Sequence, residues 1–189
     1  MIESRGSTVK ERIIRRLLPA AERHTVRRVQ VGLIYSAVQL DSGAVGVAYT
    51  FPQPRECRED AGGESRPSAG AKASVLLAGL GGADLLASTL GLAAANALLA
   101  DGPPPPDARE GDVLESLHLR DGDRVCMVGC FVPVLRSLES REISVTAVDQ
   151  LPKPGSLPAR EAERLLPESQ VAIITATSLI NGTLDPLLE

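Results

Sequence analysis

The sequence predicts a mixed α/β protein: an N-terminal α+β part made of a helix, an antiparallel hairpin and further helices, then a short parallel βαβαβ layer. Three observations predict it. Apolar residues recur at helical spacing in TVKERIIRRLL, and they alternate with a period of two between Val26 and Phe51. After a run of prolines, strand-like and helix-like segments take turns from Arg124 to Thr175.

Composition bounds the function classes. Of 189 residues, 43% are hydrophobic and 23% charged, enough apolar material for one domain or two small ones. Aromatic residues make up 2% and tryptophan is absent, so the core must come from Leu, Val, Ile and Ala. Stacking platforms for single-stranded nucleic acid are nearly missing. A net charge of −4 argues against a duplex partner, which needs many cations facing phosphates. Three cysteines, Cys57, Cys126 and Cys130, lack disulfide-framework spacing, and the N-terminus is charged where a signal segment would be apolar; a reducing, cytoplasmic location is expected. The longest apolar stretch, Ala83 to Ala100, holds Asp84, Asn96 and many small residues, which predicts a buried helix and no membrane span.

Taken in order, Thr8 and Glu11 have the spacing of a capping box, and Val9, Ile13, Ile14, Leu17 and Leu18 form one helical stripe ending at Pro19. Arg12, Arg15 and Arg16 are expected on its wet side. Asp41-Ser42-Gly43 supplies the turn between VGLIYSAVQL and AVGVAYTF, a β-hairpin. Pro52 to Gly70, rich in charge, Gly and Pro, reads as a mobile surface loop. Ala71 to Leu80 and Ala83 to Leu99 follow as helical segments, separated by Gly79, Gly81 and Gly82. Pro103 to Pro106 cannot continue a helix or a ladder and mark the boundary between domains.

Beyond the boundary, Asp112 to Leu117 reads as a short helix, and Val125–Val128, Ser144–Val148 and Gln170–Thr175 as strands. Helices are expected over Val132–Leu138, with Pro133 in its first turn, and Ala159–Leu166; Pro152 to Pro158 is expected to be a loop. This alternation predicts a Rossmann-like layer with parallel strands. Ligands in such layers sit beyond the carboxyl ends of the strands. Three loops therefore carry the candidate residues: Gly129 to Pro133, Asp149 with Gln150, and Thr175 to Thr183.

Gly129 suits a tight turn, yet VGCFVP lacks the further glycines of a dinucleotide fingerprint. Asp149 stands where an acid can accept from a ribose or bind a cation, or simply cap a strand end. Thr175, Thr177, Ser178, Asn181 and Thr183 offer hydroxyls and an amide without charge, more than one helix cap requires. Cys126 reads as core, and Cys130 as a turn thiol able to act as a soft ligand. His24 and His118 have no partner at ligand spacing. No Ser-His-Asp set, phosphate loop or paired-cysteine zinc signature is present, so no reaction is assigned.

The segments RVCMVGCFVPVL, VTAVDQLPKPG and ERLLPESQVAIITATSLINGTLDPLL, in this order, resemble a bacterial and archaeal family labelled as heavy-metal chelation proteins. The resemblance is strongest from Gly122 to Leu188. It extends more faintly to TVKERIIRRLL, VAYTF and STLGLAAANALL, which are similar to the family's companion domain, itself similar to the N-terminal domain of enolase. It implies an enolase-N-like α+β domain over residues 1–101, a proline-rich linker over 102–111 and a Rossmann-like domain over 112–189, with a ligand site in the cleft between domains. By matching position, the implied ligand-binding residues are Asn96, Gly129, Phe131, Pro133, Asp149, Thr175, Thr177, Asn181, Gly182 and Thr183. Asp149 and Cys130 are the candidate metal donors, and a transition-metal ion is the candidate cofactor. Ala176 stands where the family has glycine and Asp149 where it has glutamate. Relatives continue through further elements, so the resemblance implies a shortened member.

Three functional expectations follow. The first is binding or chelation of a heavy metal or metal complex. The second is a binding module or enzyme for an adenosine-type small molecule. The third is a non-catalytic accessory protein of a metal-uptake or cobalamin pathway, with homodimerisation covering an exposed sheet edge. Small-molecule or metal partners are expected, and neither nucleic acid nor membrane.

Overall fold

The computed structural model describes residues 7–51, 69–108, 110–151 and 153–189. Nearly all of the loop expected over Pro52 to Gly70, with Cys57, lies outside the described residues. The chain divides into two compact units: Met1–Pro106 with Thr177–Pro186, and Asp107–Ala176 with Leu187–Glu189. The fold is mixed α/β, with a three-stranded antiparallel sheet in the first unit and a four-stranded parallel sheet in the second.

Helix α1 (Val9–Ala21) opens with the expected capping box. The Glu11 amide donates to Thr8 Oγ1 at 3.3 Å and the Thr8 amide donates to Glu11 Oε2 at 2.9 Å, which supplies partners for amides that the first turn leaves orphaned. Pro19 does not end the helix, contrary to the sequence expectation. It sits inside the last turn; the lost amide would have served Arg15, an exposed residue whose carbonyl water can reach, so the usual penalty for proline is small there.

The alternating stretch forms three strands where a two-stranded hairpin was expected: β1 (Val26–Gln30), β2 (Tyr35–Leu40) and β3 (Val45–Tyr49), ordered β1-β2-β3. The Asp41–Gly43 turn joins β2 to β3 as expected, with Gly43 at φ 96°, a backbone state that favours glycine. On β2 and β3, Ser36, Val38, Leu40, Gly46 and Ala48 point inward and are buried, as is Thr50 just after β3. Ser36 and Thr50 satisfy each other there at 2.8 Å.

The long helix α3 (Leu85–Asp101) covers that inner face, and helix α2 (Ala73–Leu77) packs against α3. Asp84 caps α3, accepting from the Leu86 and Ala87 amides. Eleven of its residues are buried, the pattern of a helix packed on all sides. Leu76, Leu77, Leu90, Leu98, Val26, Val38, Leu40 and Ile180 form the centre of this core, each large side chain contributing about 1.5–3 kcal/mol by leaving water. No helix among the described residues is long and apolar enough to cross a membrane. Two backbone approaches make the packing possible: Gly46 lies against the α3 backbone at Ala93 and Ala97, and Gly91 against Leu80.

The second unit begins with a short helix, α4 (Val113–Ser116), capped by Asp112. Its sheet, ordered β6-β5-β4-β7, is parallel throughout: β4 (Arg124–Val128), β5 (Ser144–Asp149), β6 (Ser156–Pro158) and β7 (Val171–Ile174). Helix α5 (Val132–Ser140) connects β4 to β5; a 3-10 turn over Ala159–Glu161 and helix α6 (Ala162–Leu165) connect β6 to β7. Strand β6 occupies part of the expected loop. Ser-Leu-Pro is too short to show a period, and its proline is tolerated because β6 is an edge. Leu114, Val125, Met127, Cys130, Leu138, Ile143 and Ala147 form the second core.

Two short helices close the described chain, α7 (Thr177–Ile180) and α8 (Leu184–Leu187). Residues 177–186 pack with the first unit. Ile180 is fully buried there, and Ser88 Oγ, accepting from the Gly81 amide at 2.7 Å, donates to the Ile180 carbonyl at 2.8 Å. Asp185 reaches the start of α1, accepting from the Val9 amide at 2.7 Å.

Candidate functional site

Chain order reverses about β4. From β4 the chain moves to β5 and β6 on one side, then returns to β7 on the other. In open parallel sheets, ligands bind at the carboxyl-end rim of such a switch point. The registers put Val128 beside both Val148 and Ile174. The turns at Gly129, Asp149 and Thr175 therefore share one rim.

Gly129 continues both ladders by one step. Its amide donates to the Val148 carbonyl at 2.8 Å, while the Thr175 amide donates to the Val128 carbonyl at 2.9 Å. Gly129 has φ 91°, and a Cβ there would come within 2.9 Å of Thr175 Cγ2. Only glycine meets both demands. Phe131, exposed, starts α5 beside this turn, and Pro133 stands at the second helical position.

Asp149 organises the rim. Its Oδ2 accepts from the Cys130 amide at 2.9 Å and its Oδ1 from the Leu151 amide at 3.1 Å. Lys153 Nζ lies 3.3 Å from Oδ2 and also donates to the Cys130 carbonyl at 3.4 Å. Burial alone would raise the carboxyl pKa. The two amides and the Lys153 ammonium outweigh it, and Asp149 titrates below the usual carboxylate range. A depressed carboxyl adds stability above its unfolded value and loses it as pH falls through the folded value. Asp149→Asn is expected to cost about 1–2 kcal/mol at neutral pH. That difference from wild type, read by urea titration, should shrink as pH falls below the ordinary carboxylate range and through the lower folded value; persistence once the carboxyl is protonated would assign the effect to packing.

Sequence reasoning missed Lys153. Its signal lay in VTAVDQLPKPG, where a cation follows the acid by four residues within one loop.

The candidate residues fall into two sets. Gly129, Cys130, Phe131, Pro133, Asp149 and Thr175 belong to the second unit, and Asn96, Thr177, Asn181, Gly182 and Thr183 to the first. Asn96 Nδ2 donates to the Val47 carbonyl at 2.9 Å, fastening α3 to β3. Asn181 Oδ1 accepts from both the amide and the hydroxyl of Thr183, at 3.2 and 2.8 Å, around Gly182 at φ 72°. Much of that polar cluster thus builds a turn.

The residues present do not fit a bare metal ion. Both oxygens of Asp149 are engaged, and the Cys130 side chain packs in the core beside Met127 and Leu138 while its amide meets Asp149. Among the described residues no three His, Cys, Asp or Glu side chains come together as a metal-holding group. Cys126 is also buried, and burial pushes its thiol pKa up. Neither Cys126 nor Cys130 should be alkylated by iodoacetamide in the native chain, and both should be after unfolding, as read by peptide mass spectrometry.

Two concavities lie elsewhere, one of about 280 Å³ at the opposite rim beside His118 and Arg141, the other of about 410 Å³ beside Arg12, Arg15 and Arg16 on α1.

Two family models match the chain, one over residues 112–189 and one over 14–99, and both carry the description "Putative heavy-metal chelation". A solved protein of unknown function from Pyrococcus horikoshii, of the family that the first of these represents, is 26% identical, with a TM-score of 0.79 over 96% of this chain and 74% of that one. Another, from Desulfitobacterium hafniense, is 21% identical and shares the fold, with a TM-score of 0.73 over 95% of this chain and 70% of that one. No curated protein matches the chain.

Proposed function

We propose, from the two matching family models that both carry the description "Putative heavy-metal chelation", that the chain binds a metal already wrapped in a small organic chelator, at the rim where β4 and β7 part. The observation that carries this reading is the Gly129–Cys130 turn held by Asp149 and Lys153 beside Thr175 and the exposed Phe131. Such a rim presents an ammonium, loop backbone and an aromatic ring. These groups suit the carboxylates and carbon skeleton of a chelator, whose own donors satisfy the metal; a naked soft cation would need thiolates or imidazoles that this rim does not supply. The role of the chain's residues is to bind and orient the complex.

An adenosine-type ligand is the competing occupant. Asp149 stands at the end of the second parallel strand, where ribose-binding acids stand in dinucleotide folds, but both its oxygens already serve the loop.

Calorimetry on the full chain distinguishes the readings, using nickel ion alone, citrate alone, the nickel–citrate complex and adenosine nucleotides. Heat is expected from the complex, with affinity about tenfold weaker in Lys153→Ala. Binding of free nickel alone, or of the nucleotides alone, would overturn the proposal.

A further inference from the structure

Among the described residues, nothing covers the outer face of the antiparallel sheet. Tyr35, Ala37 and Gln39 on β2 face outward opposite Tyr49, Val47 and Val45 on β3, and the link between β1 and β2 adds Leu33 and Ile34. Leu33 is 94% exposed, Tyr35 62%, Ile34 60%, Val45 49% and Val47 48%. The chain holds two tyrosines and two phenylalanines, and three of these four meet here: Tyr49 packs edge-on against Tyr35 at 6.4 Å and Phe51 at 5.5 Å. A protein that uses so few rings and gathers most of them in one place has built a contact surface there.

We propose that this face is the interface of a homodimer, two copies stacking their antiparallel sheets face to face. The area supports a second copy. These five side chains expose on the order of 600 Å², at the upper end of what a lone protein leaves uncovered. A stable interface takes about 800 Å² per partner, and Arg28, Gln30 and Gln39, which border the patch through β1 and β2, bring the remainder as a polar rim. Ala37 and the valines keep the centre flat enough for two sheets to meet, and no charge lies at that centre to repel its own copy. The chain's own segment 52–68 is a poor complement, with seven charged residues and no Val, Leu, Ile, Met or aromatic.

Sedimentation equilibrium of the full chain from low to high micromolar concentration tests the proposal. A dimer is expected, weakened about tenfold or more by Val47→Glu with an unchanged far-UV circular dichroism spectrum. Leu33→Glu, at a position too exposed to matter for folding, should weaken it as well. A monomer throughout the range overturns the proposal, as does a dimer that tolerates both substitutions. So does a monomer that floats with anionic phosphatidylglycerol vesicles, which would give the face to a membrane surface.

Discussion

Gly46→Val is expected to unfold the first unit at temperatures where the wild type is folded. The position is buried on β3, facing α3, and a Cβ built there lands on the Ala93 carbonyl oxygen and the Ala97 amide nitrogen. Both belong to backbone in the middle of a helix whose neighbours on every side are core, so nothing flexible can give way. Alanine at 93, 94 and 97 lets α3 lie this close, and the Asn96 side chain, bonded to the Val47 carbonyl one residue along, pins the same crossing. Overpacking a well-packed core costs about 1–3 kcal/mol when neighbours can shift. Here the helix itself must move, and a loss above about 4 kcal/mol is expected. Urea titration followed by circular dichroism gives the measurement, with Gly46→Ala falling between wild type and Val. A Val variant within about 1 kcal/mol of wild type would mean that α3 and β3 are not in contact.

Ser88→Ala should rank second. The Ser88 hydroxyl is fully buried and answers two backbone groups at once, the Gly81 amide and the Ile180 carbonyl. Alanine leaves both without partners. Each buried orphan costs about 1–3 kcal/mol, so a loss of about 3 kcal/mol is expected. The two groups lie 99 residues apart in sequence (180 − 81), and the effect should be local as well as global. Amide exchange at Asn181 and Thr183, whose protons are held by Thr177 and Ser178, should speed up more than exchange in β2. Ser140→Ala, which removes an exposed hydroxyl bonded to the Ser137 carbonyl, is the neutral control. Equal exchange at 181 and 183 in Ser88→Ala and wild type would show that the hydroxyl does not hold the C-terminal segment.

Local chemistry was legible in the sequence wherever it is self-contained. The Thr8–Glu11 box, the Asp41–Gly43 turn and the alternation of strand and helix after the prolines each depend on a few adjacent residues, and each stands in the structure. What escaped depended on distant partners. Pro19 reads as a stop because its ring is seen without the exposed Arg15 that makes it harmless. Strand β6 has three residues, too few for alternation, and exists because β5 offers it an edge. Asp185 and Ser88 look like an ordinary first-turn acid and an ordinary helix serine, yet their partners are Val9 and Ile180. Cys130 follows the strand and looks presented at the turn, but its amide faces Asp149 while its side chain completes the core.

The return of residues 177–186 to the first unit has a consequence for biosynthesis. A ribosome releases β1–β3 and α3 long before α7 exists, so the nascent N-terminal half waits with the place of Ile180 unfilled and the Ser88 hydroxyl without its acceptor. During that interval its apolar interior is open to water and to other chains, the hazard that trigger-type holding factors relieve. The parallel-sheet unit, encoded in between, can condense first, and the earlier half reaches its final form only after residues 177–186 have emerged.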